Sequence, residues 1–428
     1  MSEALRLVSS DPALEIDARA ARASDLSPLA LAKLRASFPI LDRQVNGYPL
    51  VYCDSAATSL TPNEVLDAEA HYYRTIGANV HRGSHALAVE ASEAYEGARC
   101  QVATFIGARA REIAFTSNAT AALNIVAAGL YLAPDAEVLA TSNEHHSALL
   151  PFMKQGRLRT FVARPDRPLD PAELLAQIGP RTRVIVLSHA SNVTGVVHPV
   201  REICCVAREL GVLTVVDASQ SAPHLALDVR TLGCDFLAFS GHKLLGPTGI
   251  GVLYGRAEAL ASLTPRDIGG GTVERVTSSG YEWHAAPACL EAGTPNIAGA
   301  LGLAEATRFL ERLGWEAIGR HSEALTRAAF RGLSAIPEVR FLSSPEHTRL
   351  PTISLTFPGH PIGVDVVAAT LSDRYGVMVR SGLHCAHPLF EQLGLRDGAL
   401  RASFYLYNTV DEVHALCASL TDVLSVFR

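Results

Sequence analysis

Short apolar and β-branched runs alternate with longer stretches of helical character from about residue 110 to residue 255. The runs are Glu112–Thr116, Glu137–Thr141, Leu158–Ala163, Arg183–Ser188, Val212–Asp217, Asp235–Ser240 and Ile250–Tyr254. This alternation predicts an α/β unit on a mainly parallel, seven-stranded sheet. Open sheets of this kind take ligands at the carboxyl ends of their strands. Asn118 to Thr120, His145, Asn192, Asp217 and Lys243 fall just past such ends.

The alternation stops at the tract Ile268–Thr277, which holds Gly269, Gly270 and Gly271 and reads as a loop. A long amphipathic region begins near Ile297, and the unit boundary is placed there. The reading is an extension over 1–30, a large unit over 31–296 and a smaller α+β unit over 297–428. The smaller unit is expected to be helical to about Leu333, with strands around Val339–Leu342 and Thr352–Phe357 and a closing helix from Asp411.

Composition narrows the class. The 428 residues are 48% hydrophobic and 19% charged, enough to bury a large core. A formal charge of -6 offers no concentrated basic surface for nucleic acid. No stretch reaches the roughly 18 apolar residues of a membrane span, and Glu3, Asp11 and Glu15 do not fit a signal peptide, so a cytoplasmic protein is expected. Eight cysteines are too sparse for a disulfide framework. Only Lys33, Lys154 and Lys243 carry a side-chain primary amine.

Lys243 follows an apolar strand in Ser240-Gly-His-Lys243, so its stem would be buried and its amine would face a cavity. Burial favours the neutral amine, which attacks an aldehyde to form a Schiff base. The alternative is a lysine that snorkels to solvent. Asp217 ends a strand where a carboxylate pairs with a protonated pyridine nitrogen, or caps the next helix. Asn192 and Gln220 are two candidate donors to a ring phenolate oxygen. Ser117-Asn-Ala-Thr120 precedes a helical run whose free N–H groups suit a phosphate, unless the motif is only a cap. His145 would lie over a flat ring or cap a helix. Arg401, inside an apolar strand, needs a carboxylate partner from the protein or a substrate.

Cys385 sits in Arg380-Ser-Gly-Leu-His-Cys385-Ala-His-Pro388, a loop whose positive charge would raise the thiolate fraction. An inert buried thiol is one alternative. A zinc site from His384, Cys385 and His387 is another, but the paired-ligand spacing and a fourth ligand are missing, so no metal is expected.

Together these segments resemble the group II (SufS-type) cysteine desulfurase family, which includes selenocysteine lyases, among the class V aminotransferase-like enzymes of pyridoxal 5′-phosphate (PLP). The resemblance runs from about Tyr52 to Asn408. Its signatures are Tyr52-Cys-Asp-Ser-Ala-Ala57, Val80-His-Arg-Gly83, Glu144-His-His146, Ser240-Gly-His-Lys-Leu244, Gly246-Pro-Thr-Gly-Ile-Gly251, Glu291-Ala-Gly-Thr-Pro-Asn296, the Cys385 loop and Arg401-Ala-Ser-Phe-Tyr-Leu-Tyr-Asn408. Their order and spacing make the match specific.

The resemblance implies a fold-type-I PLP enzyme that converts L-cysteine to L-alanine and leaves a persulfide on Cys385, for iron–sulfur cluster assembly or another sulfur-transfer pathway. It implies that Lys243 holds PLP covalently, Asp217 meets the pyridine nitrogen, His145 stacks on the ring and Gln220 meets the phenolate oxygen. Thr120, Ser240 and His242 would hold the phosphate, with Thr294 supplied by the other subunit of a homodimer. Asn192 and Arg401, with Arg380 beside them, would bind the substrate carboxylate. A sulfur-acceptor protein would be the partner. Close rivals are a selenocysteine lyase and a pathway-specific desulfurase supplying one thiolated product, and a rival from another class is another class V PLP lyase or transaminase. A nucleotide-binding or scaffold protein is more distant, and no GxGxxG strand turn supports it. Ala119, Ala148, Cys289, Leu290 and His387 depart from the family pattern.

Overall fold

The computed structural model describes residues 27–426 apart from Arg82. Most of the extension read over 1–30 therefore lies outside the described residues, as does Arg82 of the Val80–Gly83 signature. The central sheet has β1 (Ile113–Thr116), β2 (Glu137–Thr141), β3 (Leu158–Phe161), β4 (Thr182–Ser188), β5 (Leu213–Asp217), β6 (Phe236–Ser240) and β7 (Gly251–Gly255). Their spatial order is β1-β7-β6-β5-β4-β2-β3. Five neighbours, β6 to β3, run parallel, and β7 runs antiparallel to both β1 and β6.

Each expected run falls on a strand, because alternate residues enter different cores. In β4, Ile185 and Leu187 join one buried cluster while Val184 and Val186 join another; β5 and β6 divide in the same way. Strands buried on both faces read as unbroken apolar runs.

The tract Ile268–Thr277 is not all loop. Val273–Thr277 pairs antiparallel with Gly280–Trp283, and Arg275 and Glu282 form a cross-strand ion pair. The glycines before Val273 punctuate the chain so strongly that the short, exposed hairpin behind them is hard to see.

A second, antiparallel sheet joins β8 (Arg340–Phe341), β9 (Thr352–Thr356), β10 (Arg380–Gly382) and β11 (Ala399–Ser403) in the order β8-β9-β11-β10. Helices Trp315–Ser334, Val364–Tyr375 and Val410–Val426 contribute Leu333, Leu371 and Leu420 to its core. Cys53 enters the same core, and Val51–Tyr52 pairs parallel with Val377–Met378. Helix Ile297–Leu313 instead buries Ile297, Leu303 and Leu310 with the large unit's Tyr95 and Val102. By packing, the smaller unit takes in a segment near Tyr52 and leaves this helix to the larger one. Among the described residues no helix is long and apolar enough to cross a membrane.

Candidate active site

Five strand ends build one wall of a cavity of about 430 Å³, β4 contributing Ser188 and, just beyond it, Asn192. β1 hands over to Ser117 and Asn118, β5 ends in Asp217, and β6 ends in Ser240 and leads into the tight turn Gly241–Lys243. β2 leads to His145, which caps helix His146–Lys154 by accepting the Ser147 N–H on Nδ1 at 3.1 Å. Asn118 caps helix Ala119–Gly129 through the Ala121 N–H at 2.9 Å, and Ser240 Oγ accepts from Ala119 N at 2.9 Å. The loop lies so close to β7 that a Cβ on Gly251 would stand 2.5 Å from the Asn118 backbone. Only glycine permits that approach.

The smaller unit supplies the rest of the lining: Arg380, His384, Cys385 and Arg401. Arg401 is buried; Nη1 donates to the Asn192 carbonyl at 2.9 Å and Nη2 to Asp54 Oδ1 at 3.0 Å, while Nε has no partner among the described residues. The carboxylate expected beside Arg401 is thus partly Asp54. Asn192 Nδ2 donates to the His384 carbonyl at 2.8 Å, and Gln220 Nε2 to the Ala56 carbonyl at 2.9 Å.

Electrostatics differ sharply among the lining groups. Burial, with Arg401 and Arg380 nearby, pushes the Lys243 amine down to about 8 against the opposing pull of Asp217. Burial holds His145 at about 4, with Asp217 opposing and Lys243 adding to the drop, so its ring is neutral at pH 7. His242 is lowered to about 4 by burial and by Lys243. His384 is lowered to about 3 by burial and by Arg401; its Nε2 meets the Ala399 carbonyl at 3.0 Å.

Thr120, His145, Asn192, Asp217, Gln220, Ser240, His242, Lys243, Arg380, Cys385 and Arg401 therefore line one cavity, and Thr294 does not. Thr294 is exposed and lines a second cavity with Asn79, Arg99 and Gly271. Sequence reading missed Asp54, Ser147 and His384 as lining or supporting groups. Ser147 bonds Thr120 Oγ1 at 2.7 Å. Asp54 and His384 carried a signal, their places in the Tyr52–Ala57 signature and in the Cys385 loop, and Ser147 carried none.

The departures have local accounts. Ala119 and Ala148 are buried in the core, as are Cys289 and Leu290 beside it. His387 packs on His146. Among the described residues no group of three or more His, Cys, Asp or Glu side chains is placed to hold a metal ion.

The donor set fits PLP. A helix N-terminus with Thr120, Ser240 and His242 suits a phosphate. A neutral-prone lysine suits an aldehyde, and a buried carboxylate suits a ring nitrogen. Comparison with known proteins agrees. The family model "Aminotransferase class-V" matches residues 51–416. A "Probable cysteine desulfurase 2" of Mycobacterium leprae is 43% identical over 424 residues, covering 94% of this chain and 98% of that one. The apo structure of a cysteine desulfurase from Thermococcus onnurineus NA1 superposes with a TM-score of 0.86 at 38% identity, covering 92% of this chain and 98% of that one. A C-DES mutant with glycine covalently linked to its PLP cofactor gives a TM-score of 0.77 at 25% identity, covering 91% and 99%.

Proposed function

Because the chain belongs to the class V aminotransferase family of fold-type-I PLP enzymes, we propose that it is a cysteine desulfurase that converts L-cysteine to L-alanine and receives the sulfur on Cys385. The observation that carries this reading is the convergence of Lys243 and Cys385, from different units, on one cavity. Lys243, Asp217, His145, Gln220, Thr120, Ser240 and His242 would hold PLP, which when bound supplies an electron sink for charge developing at the substrate Cα.

The chain's own groups divide the remaining work. Arg401, kept in place by Asp54 and the Asn192 carbonyl, receives the substrate carboxylate together with Asn192 and Arg380. Lys243 Nζ, its basicity lowered by burial, accepts the Cα proton. The Cys385 thiolate attacks the substrate sulfur: the Sγ–S bond forms, the substrate Cβ–S bond breaks, and Cβ takes up a proton to become the methyl of alanine.

The same reading makes the protein a cytoplasmic homodimer in which Thr294 reaches the phosphate of the neighbouring subunit. Its persulfide passes to an acceptor protein, for iron–sulfur cluster assembly or another sulfur-transfer pathway. The test is to incubate purified holoenzyme with cysteine and, separately, with selenocysteine, and to quantify alanine and the mass of the Cys385 peptide. Alanine with one added sulfur on that peptide supports the reading. Keto acid in place of alanine refutes it in favour of transamination, and turnover confined to selenocysteine refutes it in favour of a lyase.

A further inference from the structure

His384 and Cys385 are consecutive non-glycine residues with left-handed backbone, φ +45° and +56°. Each such residue costs roughly 1–3 kcal/mol and persists only where its surroundings hold it. Asn192 Nδ2 holds the His384 carbonyl, and the His146 backbone N–H holds the Cys385 carbonyl, each at 2.8 Å. The hold on the far side of the cysteine is an imidazole pair. The His387 backbone N–H donates to His146 Nε2 at 3.1 Å, and His387 Nδ1 lies 2.8 Å from the same atom. The two rings stack with centroids 4.5 Å apart and planes 32° from parallel.

These contacts fix the protonation state. A backbone amide can only donate, so His146 Nε2 must be a bare acceptor, its proton on Nδ1, and His387 Nδ1 must be the donor. Neither ring lines the cavity, so this arrangement is separate from the cofactor contacts.

We propose that His146 is a positioning residue for Cys385, gripping the loop at the Cys385 carbonyl and again at the His387 N–H, and forming with His387 a clasp that opens when His146 Nε2 takes a proton. The proposal rests on Cys385 being the sulfur acceptor. The titratable groups facing His146 are His387 across the contact and His145 beside it, ring centroids 6.2 Å apart, with Cys385 in the loop that it holds. A protonated His387 still donates from Nδ1, so only His146 controls the clasp. Burial and the His387 charge both lower the His146 pKa, which keeps the clasp closed at neutral pH.

The test is hydrogen exchange of the Cys385 peptide in the holoenzyme, corrected for intrinsic rate, at about pH 7.5 and about pH 5, either side of the ordinary histidine pKa. Wild type should lose protection about fivefold or more on acidification. His146→Leu should be unprotected at both pH values, with kcat for alanine reduced and KM for cysteine unchanged. His146→Gln, whose amide oxygen accepts but does not titrate, should stay protected at both and recover kcat. Wild-type protection that does not change with pH, or a His146→Leu loop that exchanges like wild type, overturns the proposal. If Cys385 were not the acceptor, the loop would still open in acid but no sulfur would appear on it.

Discussion

Asp54 Oδ1 and Arg401 Nη2 meet at 3.0 Å although 347 residues separate them in the chain. Asp54 comes from the turn after Val51–Tyr52 and Arg401 from β11 of the smaller unit. Together with the Asn192 carbonyl, this contact orients the buried guanidinium and leaves Nε without a partner among the described residues. Burial lowers the Arg401 pKa and Asp54 opposes that drop.

Arg401→Lys should raise the KM for cysteine about tenfold, roughly 1.4 kcal/mol of lost binding, with a smaller change in kcat. A lysine ammonium cannot span Asp54, the Asn192 carbonyl and a substrate carboxylate with fixed planar donors. Steady-state alanine formation measures it. An unchanged KM would give Arg401 a purely structural role.

Lys243→Ala should abolish covalent attachment of PLP, since neither Lys33 nor Lys154 lines the cavity. Borohydride reduction and peptide mapping should find no modified lysine in the variant. In wild-type apoprotein the rate of attachment should rise with pH through about 8, where the amine loses its proton. Asp217 raises that pKa, so Asp217→Asn should move the midpoint lower.

Cys385→Ala should keep the PLP absorbance and the ability to bind cysteine while losing alanine formation by at least about a hundredfold, the scale of a missing nucleophile. Mass spectrometry of wild type should find the added sulfur on Cys385 and not on the exposed Cys100 or Cys205. Sulfur on either of those would reassign the acceptor.

Glu144 should make the fold less stable as pH rises. Burial lifts its carboxyl to about 7, although the Ser188 N–H, the Ser188 hydroxyl and the Thr141 hydroxyl all donate to it. Between about pH 4.3, where a free glutamic acid titrates, and the raised folded value, the folded chain keeps a proton that the unfolded chain has released. Stability should therefore fall across that window by on the order of 3 kcal/mol, and Glu144→Gln should flatten the fall. Urea midpoints at a series of pH values measure both.

The inner strands of the large unit were legible because two-sided burial leaves an unbroken apolar signature, as in Arg183–Ser188 against the observed Thr182–Ser188. Asn118, His145, Asn192, Asp217 and Lys243 were legible as lining residues because each lies at or just past the end of such a strand. The Asp54–Arg401 contact was not, since no local pattern encodes a pairing across 347 residues. The left-handed pair at His384 and Cys385 was equally silent, because tertiary hydrogen bonds hold it and no glycine announces it at either position. The partner of one helix escaped for a related reason. Helix Ile297–Leu313 has an ordinary amphipathic pattern, and only packing shows which core receives its apolar face.

The strand around Tyr52 also sets a timetable for biosynthesis. Its carbonyl bonds to Asn408, which the ribosome adds 356 residues later. At about 5–20 residues per second, that is roughly 20–70 s during which the strand has left the ribosome without its permanent neighbours. The larger unit's sheet, complete at Gly255, can form well inside that interval. The nascent chain thus carries a finished larger sheet with an open strand beside it, and chaperones that recognise extended apolar segments have a long opportunity at Val51–Cys53.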